Sequence, residues 1–153
     1  MTRYLTILLL LLLCTPLQAN PSEESQRFIV HGNGTVTDRQ SGLLVLQNGN
    51  CFGMMSWEAA QEAVAKLAEG SCGLQDGSQA GAWRLPERQE LLLLLDWQRQ
   101  GPFVGVEQKN YWSASSVDSA PASAWLVLLS NGYIGYHQKS NAAGLLWPVR
   151  KVP

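Results

Sequence analysis

The chain has 153 residues, of which 46% are hydrophobic and 15% charged, and its formal net charge at pH 7 is −1. A charge this close to zero argues against a nucleic-acid partner, because such partners are bound through an excess of Lys and Arg. The length suits one compact domain with a hydrophobic core of its own.

The N-terminal segment, residues 1–19, has the pattern of a signal peptide. Arg3 supplies the positive start, residues 5–13 form an apolar run too short to span a bilayer, and Ala19 is the small residue required at a cleavage site. The sequence therefore predicts an exported protein, located in the periplasm, at the cell surface or outside the cell. No later segment reads as a membrane span.

Two further features lie near the predicted cleavage site. Cys14 raises the alternative of a lipoprotein, but lipid attachment requires a small residue just before the cysteine, and Leu13 is large. Residues 20–26 form a short polar leader that we expect to be disordered. The folded domain is predicted to cover residues 27–153.

The first elements of the domain are predicted to be three short strands, near residues 27–31, 34–38 and 43–46. Gly32 and Gly42 interrupt the apolar pattern between them, as is typical of turns.

Two cysteines, Cys51 and Cys72, flank a helix predicted over residues 57–69. Ser56 supplies its N-cap and Gly70 its stop signal. An even pair of cysteines in an exported protein is most simply a disulfide, which would join the two ends of this loop. A metal site or reactive thiol is the alternative, but neither cysteine has a Cys-x-x-Cys partner.

Metal binding has little support elsewhere in the sequence. After residue 96 only Glu107 and Asp118 are acidic, so carboxylates for a calcium site are scarce. His31 and His137 could meet as strand neighbours, but a solvated or hydrogen-bonded state is the preferred interpretation of each. We therefore expect no metal and no cofactor.

The segment Trp83-Arg84-Leu85-Pro86 is followed closely by Glu90. Proline suits the first turn of a helix, where its missing N–H would be unpaired, so a helix over residues 86–97 is predicted to begin at Pro86. Arg84 and Glu90 are close enough to pair across that start, with the charge partly buried beneath Trp83. We interpret Trp83, Arg84, Pro86 and Glu90 as a structural clamp.

Residues 91–95 are all leucine, which predicts a helix buried on every side.

The second half of the domain, beyond this helix, is predicted to be mostly sheet. Asn131-Gly132 predicts a hairpin with a type I′ turn, since both residues of that turn need positive φ. Two helices among antiparallel strands indicate an α+β fold. The strands are predicted at residues 110–113, 124–129, 132–138 and 145–150.

Five short segments follow one another in order over residues 28–150. They are Gly34-Thr35-Val36-Thr37-Asp38 with Ser41-Gly42-Leu43-Leu44, then Ser56-Trp57-Glu58-Ala59-Ala60, Trp83-Arg84-Leu85-Pro86 with Glu90-Leu91, Tyr111-Trp112-Ser113, and Trp147-Pro148-Val149-Arg150. Together they resemble the Lcl C-terminal domain family, named after the C-terminal domain of the Legionella collagen-like adhesin. One departure is Val45, where the family usually has Trp.

The resemblance implies a C-type-lectin-like fold in which the terminal strands pair and a loop-rich face carries recognition. On that fold, residues 113–123 and 137–144 would be exposed loops, since both segments are small, polar and without periodicity.

Catalysis has no recognisable motif in this chain. Gly-x-Ser-x-Gly, His-Glu-x-x-His and a phosphate-binding glycine loop are all missing from the sequence. Formylglycine-generating enzymes share a stretch like residues 84–90, but they use cysteines near the C-terminus, and this chain has none after Cys72. We expect a protein that is not an enzyme.

Charge is distributed unevenly along the chain. Residues 20–96 hold ten acidic and five basic side chains, whereas residues 97–153 hold two acidic and five basic. The basic half could attract an anionic polysaccharide, although evenly solvated surface charge explains the same numbers.

Aromatic residues are concentrated in the C-terminal sheet. Core packing is the preferred interpretation for Trp112, Trp125 and Trp147. Tyr133 and Tyr136 lie three positions apart on one strand, so they are predicted to face opposite ways, with one of them outward.

Polar side chains near that tyrosine complete the predicted binding site. We predict a ligand site made of Tyr136, His137, Lys139 and Asn141, with Ser115 and Asp118 from the neighbouring loop. The function predicted is a lectin-like binding module that recognises a glycan or another surface ligand. The alternatives are a structural or assembly component of the envelope that binds a protein partner, and an enzyme of unknown type.

Overall fold

The computed structural model of the protein describes residues 26–153. The predicted signal peptide, Cys14 and residues 20–25 of the predicted leader lie outside the described residues. Within the described part, neither helix has the length and hydropathy needed to cross a membrane.

The described residues form seven strands and two α-helices, which confirms the predicted α+β class. The strands are β1 (Phe28–Val30), β2 (Thr35–Asp38), β3 (Leu43–Leu46), β4 (Asn110–Val117), β5 (Ala120–Leu128), β6 (Tyr133–Gln138) and β7 (Val149–Lys151). The helices are α1 (Trp57–Lys66) and α2 (Leu91–Gln100), the second preceded by one 3₁₀ turn (Arg88–Glu90).

A four-stranded antiparallel sheet contains both ends of the domain, in the order β1-β2-β3-β7. Strand β7 pairs with β3, with Leu44 opposite Arg150, and β1 pairs with β2, with Ile29 opposite Thr37. The terminal strands thus share a sheet without pairing with each other, unlike the direct pairing implied by the family resemblance.

The second sheet is three-stranded, with the order β4-β5-β6. Strands β4 and β5 are longer than predicted, and β6 begins one residue later than predicted. Residues 113–117 and 120–123, which were predicted to be loop, belong to β4 and β5. Their small side chains explain the weak pattern. Buried Ser113 donates to the Trp125 carbonyl at 2.8 Å, where the register of β4 with β5 shifts between Trp112 and Ser116. Of the two predicted loops, residues 118–119 and the residues after Gln138 lie outside the strands.

The predicted hairpin between β5 and β6 is confirmed, but its turn type is not I′. The paired ends are Leu128 and Tyr133, so the connection has four residues rather than two. Within this four-residue connection, positive φ occurs at Gly132, at 77°, and not at Asn131. The Asn131 side chain accepts from the Tyr133 amide at 3.0 Å. Leu129, the first residue of the connection, is buried.

Helix α1 begins as predicted and ends three residues early. The Ser56 hydroxyl accepts from the Ala59 amide at 3.2 Å, which confirms the N-cap. At the other end Leu67 is extended and only 2% exposed, so its side chain enters the core as the chain leaves the helix.

The start of the second helix at Pro86 was predicted wrongly. The 3₁₀ turn begins at Arg88 behind a capping box formed by Glu87 and Glu90, and Pro86 lies buried in extended chain before it. Arg84 and Val149 exchange two backbone hydrogen bonds of 2.9 Å, which hold this segment extended. Leu85, which precedes Pro86, is also biased towards extended backbone, because the proline ring clashes with a helical conformation at the preceding residue.

Helix α2 is not buried on every side. Leu91 and Leu94 are fully buried, whereas Leu92 is 58% exposed.

The core contains three fully buried tryptophans, each with its indole N–H bonded. Trp97 donates to the Asp38 carboxylate, Trp112 to the Met55 carbonyl and Trp147 to the Leu46 carbonyl, at 2.8–3.0 Å. These bonds let large rings be buried without an unsatisfied donor. Two of them tie α2 and Trp147 to the first sheet, and the third ties β4 to the segment before α1.

The predicted disulfide between Cys51 and Cys72 is present, with 5.7 Å between the two Cα atoms. Closing a 21-residue separation removes conformational freedom from the unfolded chain.

We expect the Cys51→Ala, Cys72→Ala double variant to lose about 3 kcal/mol of unfolding free energy. Urea denaturation of the oxidised parent, the reduced parent and the variant would measure this loss. The reduced parent is the control, because it should unfold with the variant; equal midpoints for variant and oxidised parent would contradict the expectation.

Candidate functional site

The six predicted ligand residues lie near one end of the three-stranded sheet. The Lys139 amide donates to the Ala122 carbonyl at 2.9 Å, which brings the end of β6 beside the start of β5. His137 is opposite Ala124, and Ala124 in turn is opposite Ser116. The fold therefore brings the predicted residues to one region, but their side chains do not converge on one point.

Lys139 is already engaged with another side chain. Its Nζ lies 4.3 Å from the centre of the Trp57 ring, and the indole of Trp57 donates to the Ser113 carbonyl. His137, Asn141 and Asp118 are exposed around the same end of the sheet.

Tyr133 and Tyr136 are both exposed, at 66% and 56%, which corrects the prediction that only one is outward. They do occupy opposite faces of β6, since they are an odd number of positions apart. Both are exposed because β6 is the outermost strand of its sheet, and neither face is fully covered there.

Trp125, which was predicted to pack in the core, is partly buried against it. The surface that it forms with Arg88 and Tyr136 is called the Trp125 shelf. The Tyr136 ring meets the indole of Trp125 edge-on, with 5.5 Å between ring centres. The Arg88 guanidinium lies 3.9 Å from the Trp125 ring centre, in cation–π geometry. A depression of about 380 Å³ opens beside them. Its lining residues are Arg88, Gln89, Leu92, Trp125 and Ile134.

Ser115 connects the predicted site to this shelf. Its hydroxyl accepts from the Arg88 amide and donates to the Glu87 carboxylate, both at 2.9 Å. Ser115 therefore fixes the main chain of Arg88, so it positions that residue.

Sequence reasoning missed Arg88, Trp125 and Leu92 as surface residues of one site. A partial signal existed for Leu92, since it sits on the outer side of a helix that also places Leu91 and Leu94 inward. Trp125 gave no comparable signal, because its partial burial depends on Arg88 and Tyr136, which other segments bring against its ring.

A second depression, of about 370 Å³, lies on the other face of β5 and β6. Gly135 leaves space there, and the Tyr133 ring folds over it, since a Cβ at Gly135 would come within 2.6 Å of that ring. Its lining includes Leu126, Leu128, Tyr133 and His137.

Two of the five cations in residues 97–153 form ion pairs within the fold. Lys109 pairs with Glu107 at 2.6 Å, and Arg150 pairs with Asp76 at 2.9 Å. Arg150 also lies over the Trp83 ring, so Arg150, rather than Arg84, is the cation stacked on that tryptophan.

The histidines stand apart from one another in the topology. His31 follows β1 and shares a 2.8 Å hydrogen bond with the Thr37 hydroxyl, whereas His137 lies on β6 of the other sheet. Over residues 26–153, no three His, Cys, Asp or Glu side chains are grouped as metal ligands.

The model of one protein family, described as the Lcl C-terminal domain, matches residues 34–150 of this chain. The chain belongs to the Lcl C-terminal domain family. No curated protein matches the sequence.

The Trp-Arg-Leu-Pro segment of this Lcl C-terminal domain forms the predicted ion pair. Arg84 donates to both oxygens of Glu90, at 2.7 and 3.0 Å, and Glu90 also accepts from the Glu87 amide. Burial alone raises the pKa of Glu90, but these hydrogen bonds outweigh it, so the pKa lies below its ordinary value. Arg84 donates as well to the Leu85 carbonyl, which fixes its side chain against its own segment.

The Gly-Thr-Val-Thr-Asp segment ends in a second buried ion pair. The Asp38 side chain is fully buried and receives Nε and Nη2 of Arg27 at 3.0 and 3.1 Å. It also accepts from Trp97, Ser41 and the Gln40 amide. Burial raises the pKa of Asp38, but the hydrogen bonds from Arg27 and Trp97 outweigh it and the pKa is lowered. Both family segments thus serve to hold the domain together.

Proposed function

We propose that this domain is a non-catalytic binding module, exported to the periplasm, the cell surface or the medium, that recognises a glycan or another surface ligand through the Trp125 shelf. The observation that carries the proposal is a partly exposed indole, Trp125, that meets an exposed tyrosine at its edge and a guanidinium over its ring. Aromatic rings pack against the C–H faces of sugars, while Arg88 and Gln89 offer donors for hydroxyl or carboxylate oxygens.

Family membership supports an adhesion-related role, because the family takes its name from a collagen-like adhesin. The disulfide supports an oxidising compartment, since such bonds persist outside the cytoplasm. An anionic polysaccharide is one candidate ligand, and Arg88 is then the cation that meets it, because its guanidinium lies against the Trp125 ring and lines the depression.

A structural or assembly role with a protein partner is the second candidate. Leu92 is 58% exposed beside the shelf, and exposed apolar side chains next to aromatics are typical of protein interfaces.

The test starts with a glycan array and a pull-down from envelope material, followed by measured affinities for alanine variants. We expect Trp125→Ala and Tyr136→Ala to weaken binding about 30-fold, as removal of a central aromatic does. Arg88→Ala should reduce both the affinity and its dependence on salt if the ligand is anionic.

Tyr133→Ala is the matched control, because Tyr133 is equally exposed on the same strand but faces the other way. Lys139→Ala and Asn141→Ala test the part of the sequence-predicted ligand site that lies away from the shelf. Binding that survives the Trp125 and Tyr136 changes, but is lost in the Tyr133, Lys139 or Asn141 variants, would show that the ligand binds outside the shelf.

A further inference from the structure

Strand β6 leaves a row of backbone groups without partners. In an antiparallel pair the N–H and C=O groups point alternately toward and away from the neighbouring strand. The Lys139 amide bonds to Ala122, and Tyr133 is opposite Leu128, so the odd-numbered residues of β6 point toward β5. The backbone groups of Ile134, Tyr136 and Gln138 therefore point outward.

Among residues 26–153 these outward groups have one hydrogen bond, from the Asn141 amide to the Gln138 carbonyl. That carbonyl has a second lone pair, and both groups of Ile134 and Tyr136 remain open. A six-residue strand thus presents an edge that can accept another strand.

The other sheet edges are short or covered. The outer side of β4 bonds to the Leu145 region and to the Pro86 carbonyl, through the amides of Trp112 and Ala114. The outer side of β7 bonds to Arg84. Strand β1 has three residues and follows Arg27 directly. Only β6, within the described residues, is both long and uncovered.

The sequence of β6 lacks the features that usually keep an edge from pairing. Tyr-Ile-Gly-Tyr-His-Gln contains no proline and no Lys, Arg, Asp or Glu, and its pairing with β5 has no bulge. Proteins that remain single commonly protect an edge with one of these devices. Two copies of this strand can approach without charge repulsion.

The outward residues also form a self-complementary register. If Tyr136 lies opposite the same residue of a second copy, Ile134 of each copy is opposite Gln138 of the other. All three outward residues then pair, in a two-fold arrangement that needs one surface only.

From these observations we infer that β6 is a homodimer interface, in which two copies join antiparallel edges to make one continuous six-stranded sheet. The two-fold axis runs perpendicular to the sheet beside Tyr136, so both Trp125 shelves lie on the same face of the dimer. The inference does not depend on what the shelf binds.

The experiment is sedimentation equilibrium of the purified protein from about 1 µM to about 1 mM, the range over which weak self-association is measurable. We expect a concentration-dependent dimer that is insensitive to salt. Gln138→Pro removes one outward N–H from each copy without touching the ladder to β5, and proline is tolerated on an edge. It should weaken the dimer about thirtyfold, because two symmetry-related hydrogen bonds are lost.

Gln138→Ala is the matched control and should dimerise like the parent. A second variant, Tyr136→Lys, puts two charges side by side at the axis and should yield monomer, whereas Tyr136→Phe should not. A parent that is monomeric up to the highest concentration overturns the inference. So does a dimer that neither Gln138→Pro nor Tyr136→Lys weakens, because it must then use another surface.

Discussion

Asp38→Ala is expected to lower the unfolding free energy by about 4 kcal/mol, the largest effect of any single substitution considered for this domain. The Asp38 side chain is 0% exposed and satisfies Arg27 and Trp97 at once. Its removal leaves the buried Trp97 indole N–H without its acceptor, and leaves the partly buried Arg27 guanidinium with the longer 3.6 Å pair to Asp96. Urea denaturation at neutral pH measures the loss. Asp118→Ala, at an exposed turn, should change the midpoint by less than about 0.5 kcal/mol.

The same carboxylate predicts a pH dependence. The pKa of Asp38 in the folded state is lowered. Its contribution to the unfolding free energy is therefore fully present above the pKa that Asp38 has in the unfolded chain, and is lost as the pH falls through its pKa in the folded state. The parent should therefore lose stability on acidification, and Asp38→Ala should lose less over the same interval. Parallel curves for the two proteins would assign the acid sensitivity to other groups.

Arg84→Ala is expected to cost about 3 kcal/mol, because it leaves Glu90 partly buried without its bidentate partner. Lys66→Ala is the control: its pair with Glu62 spans 3.9 Å between side chains that are 80% and 75% exposed, and should contribute less than about 0.5 kcal/mol.

Any ligand affinity of the folded Arg84 variant should match that of the parent, since Arg84 does not line the shelf. An unchanged denaturation midpoint would show that the ion pair does not stabilise the domain, and would return Arg84 to consideration as a ligand contact.

Local patterns were sufficient to predict much of the fold. Strand β3, the Ser56 N-cap and the Cys51–Cys72 bond follow from apolar runs, capping chemistry and cysteine number, all of which act over short stretches of chain. Pro86 shows where this reasoning fails. Its local preference was for a helix start, but pairing between Arg84 and Val149, far apart in sequence, keeps the chain extended.

The candidate site was harder to predict than the fold. The region around Tyr136 could be chosen from its aromatic and polar composition, but Ser and Ala in residues 113–123 resemble a loop even though they pair as strands. Arg88 reaches Trp125 only because the 3₁₀ turn packs beside β4, through the bond to Ser115. Such a contact between distant segments has no periodicity that a single sequence could reveal.

The pairing of β3 with β7 also constrains the order in which the chain can fold. The Trp147 indole and its Leu46 acceptor are 101 positions apart, so this contact forms only after a long stretch of chain has lost its freedom. The hairpin of β5 and β6 and helix α1 involve neighbours and can form early. The first sheet therefore stays one strand short until Val149–Lys151 arrives, and a chain that emerges N-terminus first cannot complete that sheet before these three residues are available.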